Sequence, residues 1–365
     1  MGPHPRLTVR ELRVRAVNVP MPRPLQTSSG TISLAPLALI DLDTEEGVTG
    51  STYLFCYTPL ALKPVTQLLA NLAPLIKGDV VAPFEIDRKL QRQFRLLGTK
   101  GVTGMAMAGI DMAAWDALSK AQGLPLARLL GGELKPIPAY NSCGLGMIGP
   151  ERAGVEAQQL VAAGFSAVKL RLGYPDVKAD VDVVRAVRRS IGDGVHLMAD
   201  YNQALSVAEA IRRTEALAAE GLYWLEEPTL ADDFAGHAQI RGKTRITIQM
   251  GENWWGPQDM AKGVAAGASD LGMPDAMKIG GVTGWMRAAA IAESAGMPLS
   301  SHIFPEVSAH LLAVTPTCHW LEYVDWANPV LQCPLRIEAG HAIIPDVPGS
   351  GISWNEAGVE RCLVR

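Results

Sequence analysis

The chain has 365 residues, 48% apolar and 19% charged, a composition that suits a compact folded enzyme and excludes a disordered segment. With 33 Lys and Arg against 37 Asp and Glu the net charge is −4, which leaves no basic footprint for nucleic acid and no cationic face for a membrane. Five scattered cysteines (Cys56, Cys143, Cys318, Cys333, Cys362), a charged start without an apolar leader core, and no apolar run of spanning length argue against a disulfide framework, a signal peptide and a membrane helix, so the expected compartment is the cytoplasm.

Residues 7–19 and 36–43 read as strands from their β-branched content and alternation. Gly47 and Gly50 bracket a turn before a third strand, 51–57. Helical periodicity follows over 60–76 and 101–121, the second rich in Ala and Met with Asp111 and Asp116 in phase. These elements form an α+β unit, expected over 1–135. From 136 the pattern becomes regular strand–helix alternation. The strands are expected at 137–143, 167–173, 195–202, 223–228, 246–253, 275–280, 298–304 and 319–324. Eight such units predict an α/β fold, a modified (β/α)8 TIM-type barrel over 136–330. The Pro/Gly-rich segment 331–365 contains no further unit and is expected to run back over the first domain.

Three of these strands finish in an acid: Asp200, Glu226 and Glu252, spaced 226 − 200 = 26 and 252 − 226 = 26 residues apart. Strand ends in a βα repeat face one mouth, so three carboxylates converge there and repel one another without a cation. An oxygen-only set suits a hard divalent ion, Mg²⁺ first. A lone acid would more simply cap the following helix; three in phase favour the metal.

Five further residues fall at the same ends. Lys169 and Arg171, two apart on one strand, point the same way into a barrel whose strands are buried on both faces. His302 ends the seventh expected strand and Asp275 opens the sixth, which suggests an acid/base dyad; Glu322 lies on the eighth. The pair Trp254–Trp255, the helix residues Met105, Met107 and Met112, and His196 and His237 read as structural. A divalent cation opposite a paired acid/base set suits removal of a proton α to a carboxylate.

The ordered motifs KLRLGYPD, ADYNQ, WLEEPTL, QMGENWWGP, MPDAMKIGGVTGW, SSHIFPEVSAHLLA and HWLE, with RAVNVP and YLFCYTPLALK near the start and IPDVPGSGI near the end, resemble the mandelate racemase subgroup of the enolase superfamily. The resemblance implies a small-molecule carboxylic acid substrate, a 2-hydroxy acid, whose α-proton leaves through a metal-stabilised enediolate. It also implies Mg²⁺ on Asp200, Glu226 and Glu252, and His302 with Asp275 acting on one face of the substrate. Lys169 would touch the substrate carboxylate, Glu322 would be the supporting acid, and Asn202 and Ser142 would be polar neighbours. The first domain would cap the barrel, closing its mouth with the loop 19–31 and the strand 53–57. Leu25, Ile32, Phe55 and Tyr57 would line the substrate side there and favour an apolar 2-hydroxy acid, while Arg23 and Gln26 weaken that preference. A homo-oligomer is also implied.

One departure stands out. The subgroup's racemases carry Lys-x-Lys, and this chain has Lys169-x-Arg171. Freeing a neutral Lys at pH 7 costs about 5 kcal/mol before tuning, and Arg about 8 kcal/mol. Two-base racemisation is therefore disfavoured, whereas one-base chemistry through His302 is not. The alternatives are an acid-sugar dehydratase using His302 and Asp275 alone, and a catalytically silent carboxylate-binding protein.

Overall fold

The computed structural model describes residues 6–364. Alternating apolar side chains build a long antiparallel hairpin, β1 (Val9–Thr27) and β2 (Gly30–Thr44), and β3 (Thr49–Phe55) extends it in the order β1-β2-β3. The expected closing loop 19–31 is instead ordered hairpin: Leu25 pairs with Ile32 and Thr27 with Gly30 across a two-residue turn. Its prolines are accommodated because β1 is an edge strand, with a register shift between Pro20 and Leu25. Helices α1 (Pro59–Ile76) and α3 (Val102–Ala121) pack on this sheet, α2 (Pro83–Gln93) packs on α3, and a short α4 (Leu126–Leu129) follows. Helix α3 is apolar on nearly all sides and buries Met105, Met107 and Met112. It lies so close to β3 that a Cβ on Gly50 would meet the Ala113 carbonyl and Ala117, an approach only glycine allows. Its acids tie the parts together. Asp111 accepts from the Thr283 backbone at 3.0 Å, and Asp116 accepts from Ser51 at 2.7 Å and Ser350 at 2.6 Å.

The barrel begins with β4 (Ile137–Asn141) and α5 (Pro150–Ala162), then β5 (Ala167–Arg171) and α6 (Val177–Ile191), β6 (His196–Asp200) and α7 (Val207–Leu217). It continues with β7 (Leu225–Glu226) and α8 (Phe234–Arg241), β8 (Ile248–Met250) and α9 (Pro257–Ala266), β9 (Leu271–Gly272), α10 (Gly281–Ala295), α11 (Pro305–Ala313) and β10 (Leu321–Tyr323). Strands β4 to β9 pair in parallel, and β10 pairs with β4 to close the ring. Helix starts follow local chemistry: Asp176 caps α6 through Ala179, Ser206 caps α7 through Glu209, and Gly192 ends α6.

Two strand expectations need correction. The sixth strand is Leu271–Gly272, and 275–280 is a turn leading into α10, so Asp275 follows the strand instead of opening it. Ala276, Met277 and Ile279 are fully buried in that turn, and a buried apolar run mimics a strand in sequence. The seventh position, within 298–304, joins only through isolated bridges: Leu299 to Gly272 and Cys318, and His302 to Asp275. Beyond the barrel, β11 (Arg336–Glu338) and β12 (His341–Ile343) form a hairpin that adds to β4. The chain then returns to the first sheet, where Trp354 donates to Asp41 at 2.7 Å, α12 (Glu356–Cys362) packs, and Val364 bonds to Ala16 at 2.9 Å. No helix is long and apolar enough to cross a membrane among the described residues.

Candidate active site

Asp200 and Glu226 are the last residues of β6 and β7, and Glu252 lies two past β8. Parallel pairing sets Asp200 beside Glu226 in register, and the three carboxylates offer oxygens all within 4.8 Å of one another, every one buried. Burial, together with mutual repulsion, pushes Asp200 up and Glu226 well up from the usual carboxylate range, against the pull of Lys169. The Asn202 amide steadies Asp200 with two bonds, at 2.7 Å from its backbone and 2.8 Å from its side chain, while its own Oδ1 is buried without a partner. Trp224 donates to Glu226 at 3.2 Å. Three buried acids and a spare amide oxygen form an all-oxygen set that fits a hard divalent cation, with the Lys169 ammonium beside it.

On β5, Lys169 and Arg171 project from alternate positions, as their spacing requires. Lys169 Nζ lies 2.8 Å from Glu226, 2.7 Å from Glu322 and 3.8 Å from Asp200. Burial favours its neutral form, but these acids outweigh it and keep it an ammonium. Arg171 is 3% exposed, and its terminal nitrogens are committed: one donates to the carbonyls of Gly144 at 2.9 Å, Lys169 at 3.3 Å and Ser142 at 3.4 Å, the other to Ser142 Oγ at 2.7 Å. All four acceptors take N–H bonds, so this cradle holds the guanidinium as a hydrogen-bond donor turned away from substrate protons. Ser142 thus serves Arg171 directly.

His302 stands across the mouth. Its Nδ1 donates to Asp275 Oδ2 at 2.7 Å, and Nε2 points toward Glu252 at 3.2 Å and Glu322 at 3.9 Å. Asp275 is itself fixed by the backbone N–H groups of Met277 at 2.8 Å and Lys278 at 2.9 Å. Burial alone would lower the imidazole; Glu252, the Asp275 bond and Glu322 outweigh it and raise it. Glu322 accepts from the Ile303 backbone at 3.0 Å. Burial opposes its ionisation, yet Lys169, His302 and Arg171 hold it well below the usual carboxylate range. Glu322 is therefore a carboxylate here, and an acid role requires it to gain a proton when substrate charge arrives.

The cap side is mixed. Tyr57 reaches the acids: Asp275, Glu252, Glu227 and Glu322 all add to burial in raising its phenol, whose oxygen has no partner. Phe55 packs between Tyr57 and Trp326 at 4.8 and 5.0 Å. Leu25 is buried opposite its strand partner Ile32, and Ile32 with Tyr57 lines a cleft of about 460 Å³ at the hairpin tip. A larger cavity of about 880 Å³ lies elsewhere, under the C-terminal segment between Lys120, Glu306 and Leu335, and none of the three clustered acids lines it.

Sequence reasoning missed Glu227, Asn253 and Lys278. Burial and then Glu252 push Glu227 up to about 8, while Asn253 bridges Glu227 at 2.7 Å and Glu252 at 3.1 Å. The Glu-Glu doublet of WLEEP was the available signal. Of the residues read as structural, His237 is buried and bonded to the Asp233 carbonyl and Trp254 is core, whereas Trp255 reaches Lys278, its ring 5.9 Å from the ammonium.

Residues 9–131 match the mandelate racemase / muconate lactonizing enzyme N-terminal domain, and residues 152–358 the enolase C-terminal domain-like family. An enolase structure from Bradyrhizobium, complexed with magnesium and mandelic acid, is 43% identical with a TM-score of 0.94, covering 99% of each chain. A 3,6-anhydro-alpha-L-galactonate cycloisomerase of Streptomyces coelicolor is 31% identical over 94% of this chain and 96% of its own length. An L-talarate/galactarate dehydratase of Salmonella typhimurium is 33% identical over 75% of this chain and 70% of its own.

Proposed function

Because this chain belongs to the mandelate racemase / muconate lactonizing enzyme family of the enolase superfamily, we propose that it removes the α-proton of an apolar 2-hydroxy carboxylate through His302. The observation that carries this reading is the asymmetry of the mouth: an imidazole whose Nε2 faces the acid cluster on one side, a guanidinium whose terminal nitrogens are tied to carbonyls and a hydroxyl on the other. Asp275 holds the Nδ1 proton, so Nε2 takes the proton from carbon, and the C–H electron pair moves into the carboxyl group. Lys169, kept cationic by its acids, holds a substrate carboxylate oxygen, and Arg171 adds fixed positive charge behind it. Asp200, Glu226 and Glu252 would hold Mg²⁺, which when bound supplies Lewis-acid stabilisation of charge on the carboxylate. Glu322 lies beside both Lys169 and His302, where it can take up a proton as that charge grows. Return of the proton from His302 restores the starting enantiomer, so this chemistry is exchange with little racemisation.

A second reading, acid-sugar dehydration, is favoured by the same asymmetry: one base can take the α-proton and return it to a departing β-hydroxyl, which leaves as water. The apolar Leu25 and Phe55 on the cap side support the aryl 2-hydroxy acid instead. Incubation with (R)- and (S)-mandelate in D₂O, followed by proton NMR, tests the reading. One enantiomer should exchange its α-proton and the other should stay nearly inert; equal exchange of both restores a second base, and a keto-acid product from a sugar acid but no mandelate exchange selects the dehydratase. Chelator should abolish turnover and Mg²⁺ restore it, and Glu226→Gln should weaken Mg²⁺ binding by calorimetry on the order of a hundredfold.

A further inference from the structure

We propose that Lys278 is a positioning residue that latches the cap onto the barrel mouth by holding Tyr57 in place. Lys278 lies in the turn after β9 and is 6% exposed. Its backbone N–H fixes Asp275 at 2.9 Å, and its ammonium donates to Asn253 Oδ1 at 2.6 Å. Asn253 in turn passes its two side-chain N–H bonds to Glu227 and Glu252. The same ammonium stands 4.3 Å from the centre of the Tyr57 ring, with the Trp255 ring at 5.9 Å. An ammonium has three donors and strong hydration, so a buried one needs several partners. Here one amide oxygen and one aromatic face supply them, and a ring face attracts a desolvated cation more strongly than an exposed one.

Tyr57 gains as much from the contact. It leaves β3 with φ 59°, a left-handed conformation that a bulky residue holds only when its surroundings impose it. Phe55 packs on it at 4.8 Å, Lys278 lies over its ring, and the next residue, Thr58, caps α1 by accepting from Leu60. Lys278 therefore joins three things in one residue: through its backbone the turn that fixes Asp275, and through its ammonium the amide that braces Glu252 and the cap residue that faces the acids. Its role is indirect, through Tyr57 and Asn253.

Amide hydrogen exchange of the whole protein, read by mass spectrometry over residues 49–58, tests the latch without requiring activity. Lys278→Met should speed exchange there by roughly three- to tenfold, the range that a partly desolvated cation–ring contact supports. Tyr57→Leu, which leaves the Lys278–Asn253 bond in place, should do the same and decides the matter if Lys278→Met does not fold. Lys278→Arg should keep the segment protected. Unchanged exchange in Lys278→Met, or a rise spread evenly through the barrel, overturns the latch. A second arm rests on the proposed activity: with mandelate, Lys278→Met should raise KM more than it lowers kcat, and the Lys278→Met/Tyr57→Leu double variant should be little worse than either single one. Additive losses overturn the coupling. Absence of mandelate turnover in the natural protein counts against the proposed function, and the amide-exchange arm then decides the latch.

Discussion

On one flank of the acid cluster, Asp275 grips the Nδ1 of His302 at 2.7 Å and Nε2 faces Glu252 at 3.2 Å; on the other, Arg171 spends its terminal nitrogens on three carbonyls and a hydroxyl. Both flanks are buried and both carry a nitrogen base by formula, yet their partners divide the work. A carboxylate partner accepts a proton's charge and leaves the far ring nitrogen open to gain and lose a proton. A nest of carbonyls demands donors and so holds the guanidinium by its N–H groups. Intrinsic basicity already separates an imidazole from a guanidinium, and the acceptors around each group reinforce that division.

His302→Asn breaks this contrast most severely. It removes the proposed base and should lower α-proton exchange on mandelate on the order of 10³-fold, measured by NMR in D₂O. Exchange at the natural rate would remove His302 from its role. Asp275→Asn comes next, at roughly a hundredfold, because the imidazole keeps its place but loses the carboxylate that orients it and stabilises its charged form. An equal loss of Mg²⁺ affinity in this variant would mean that Asp275 acts on the acids and not on His302.

Arg171→Lys sharpens the comparison from the other side. A lysine cannot fill the four-acceptor cradle with a planar fork, and a second ammonium near Lys169 has a lowered pKa, so exchange of the inert enantiomer should rise, by about tenfold or more. Polarimetry from a single enantiomer would show racemisation appear. Arg171→Met should give no such gain and should only weaken the His302-dependent reaction. A gain in both variants would show that the cradle, not the base, had been limiting.

A last contrast, in stability and not in activity, is between two buried histidines eight residues apart. His302 sits among acids and is raised; His310, on α11, accepts the Ala127 N–H at 3.1 Å, and burial pushes it down to about 4. A histidine depressed on folding contributes stability that is fully present above its unfolded value near 6.5. That contribution is lost as pH falls from there toward 4, at most about (6.5 − 4) × 1.36 ≈ 3 kcal/mol. His310→Gln, compared with the natural protein by urea unfolding at pH 7 and pH 4.5, should show a shallower loss of stability on acidification. An unchanged pH slope would mean that His310 is already accessible to protons.

The chain's own pattern was enough to expect the barrel and the acid trio. Strand–helix alternation from 136 onward implies a ring of parallel strands, and period-two geometry turns Lys169 and Arg171 to one side. Evenly spaced acids at strand ends then share a mouth, whatever the details of packing. These inferences rest on local periodicity, which survives folding unchanged. Tertiary structure decided the rest. Pro20, Pro22 and Pro24 suggest a loop by local preference, but an edge strand accepts them and the hairpin continues through Thr27. The run after Asp275 is apolar because it is buried from all sides, so hydrophobicity could not separate turn from strand. The identity of Arg171 signals a poor base, yet only the carbonyls of Ser142 and Gly144, 29 and 27 residues away in sequence, show what holds it. Lys278 meets Tyr57 across more than 200 residues. Such pairings depend on where two distant backbones come to rest, a global minimum over many weak contacts, and no local window of sequence records it.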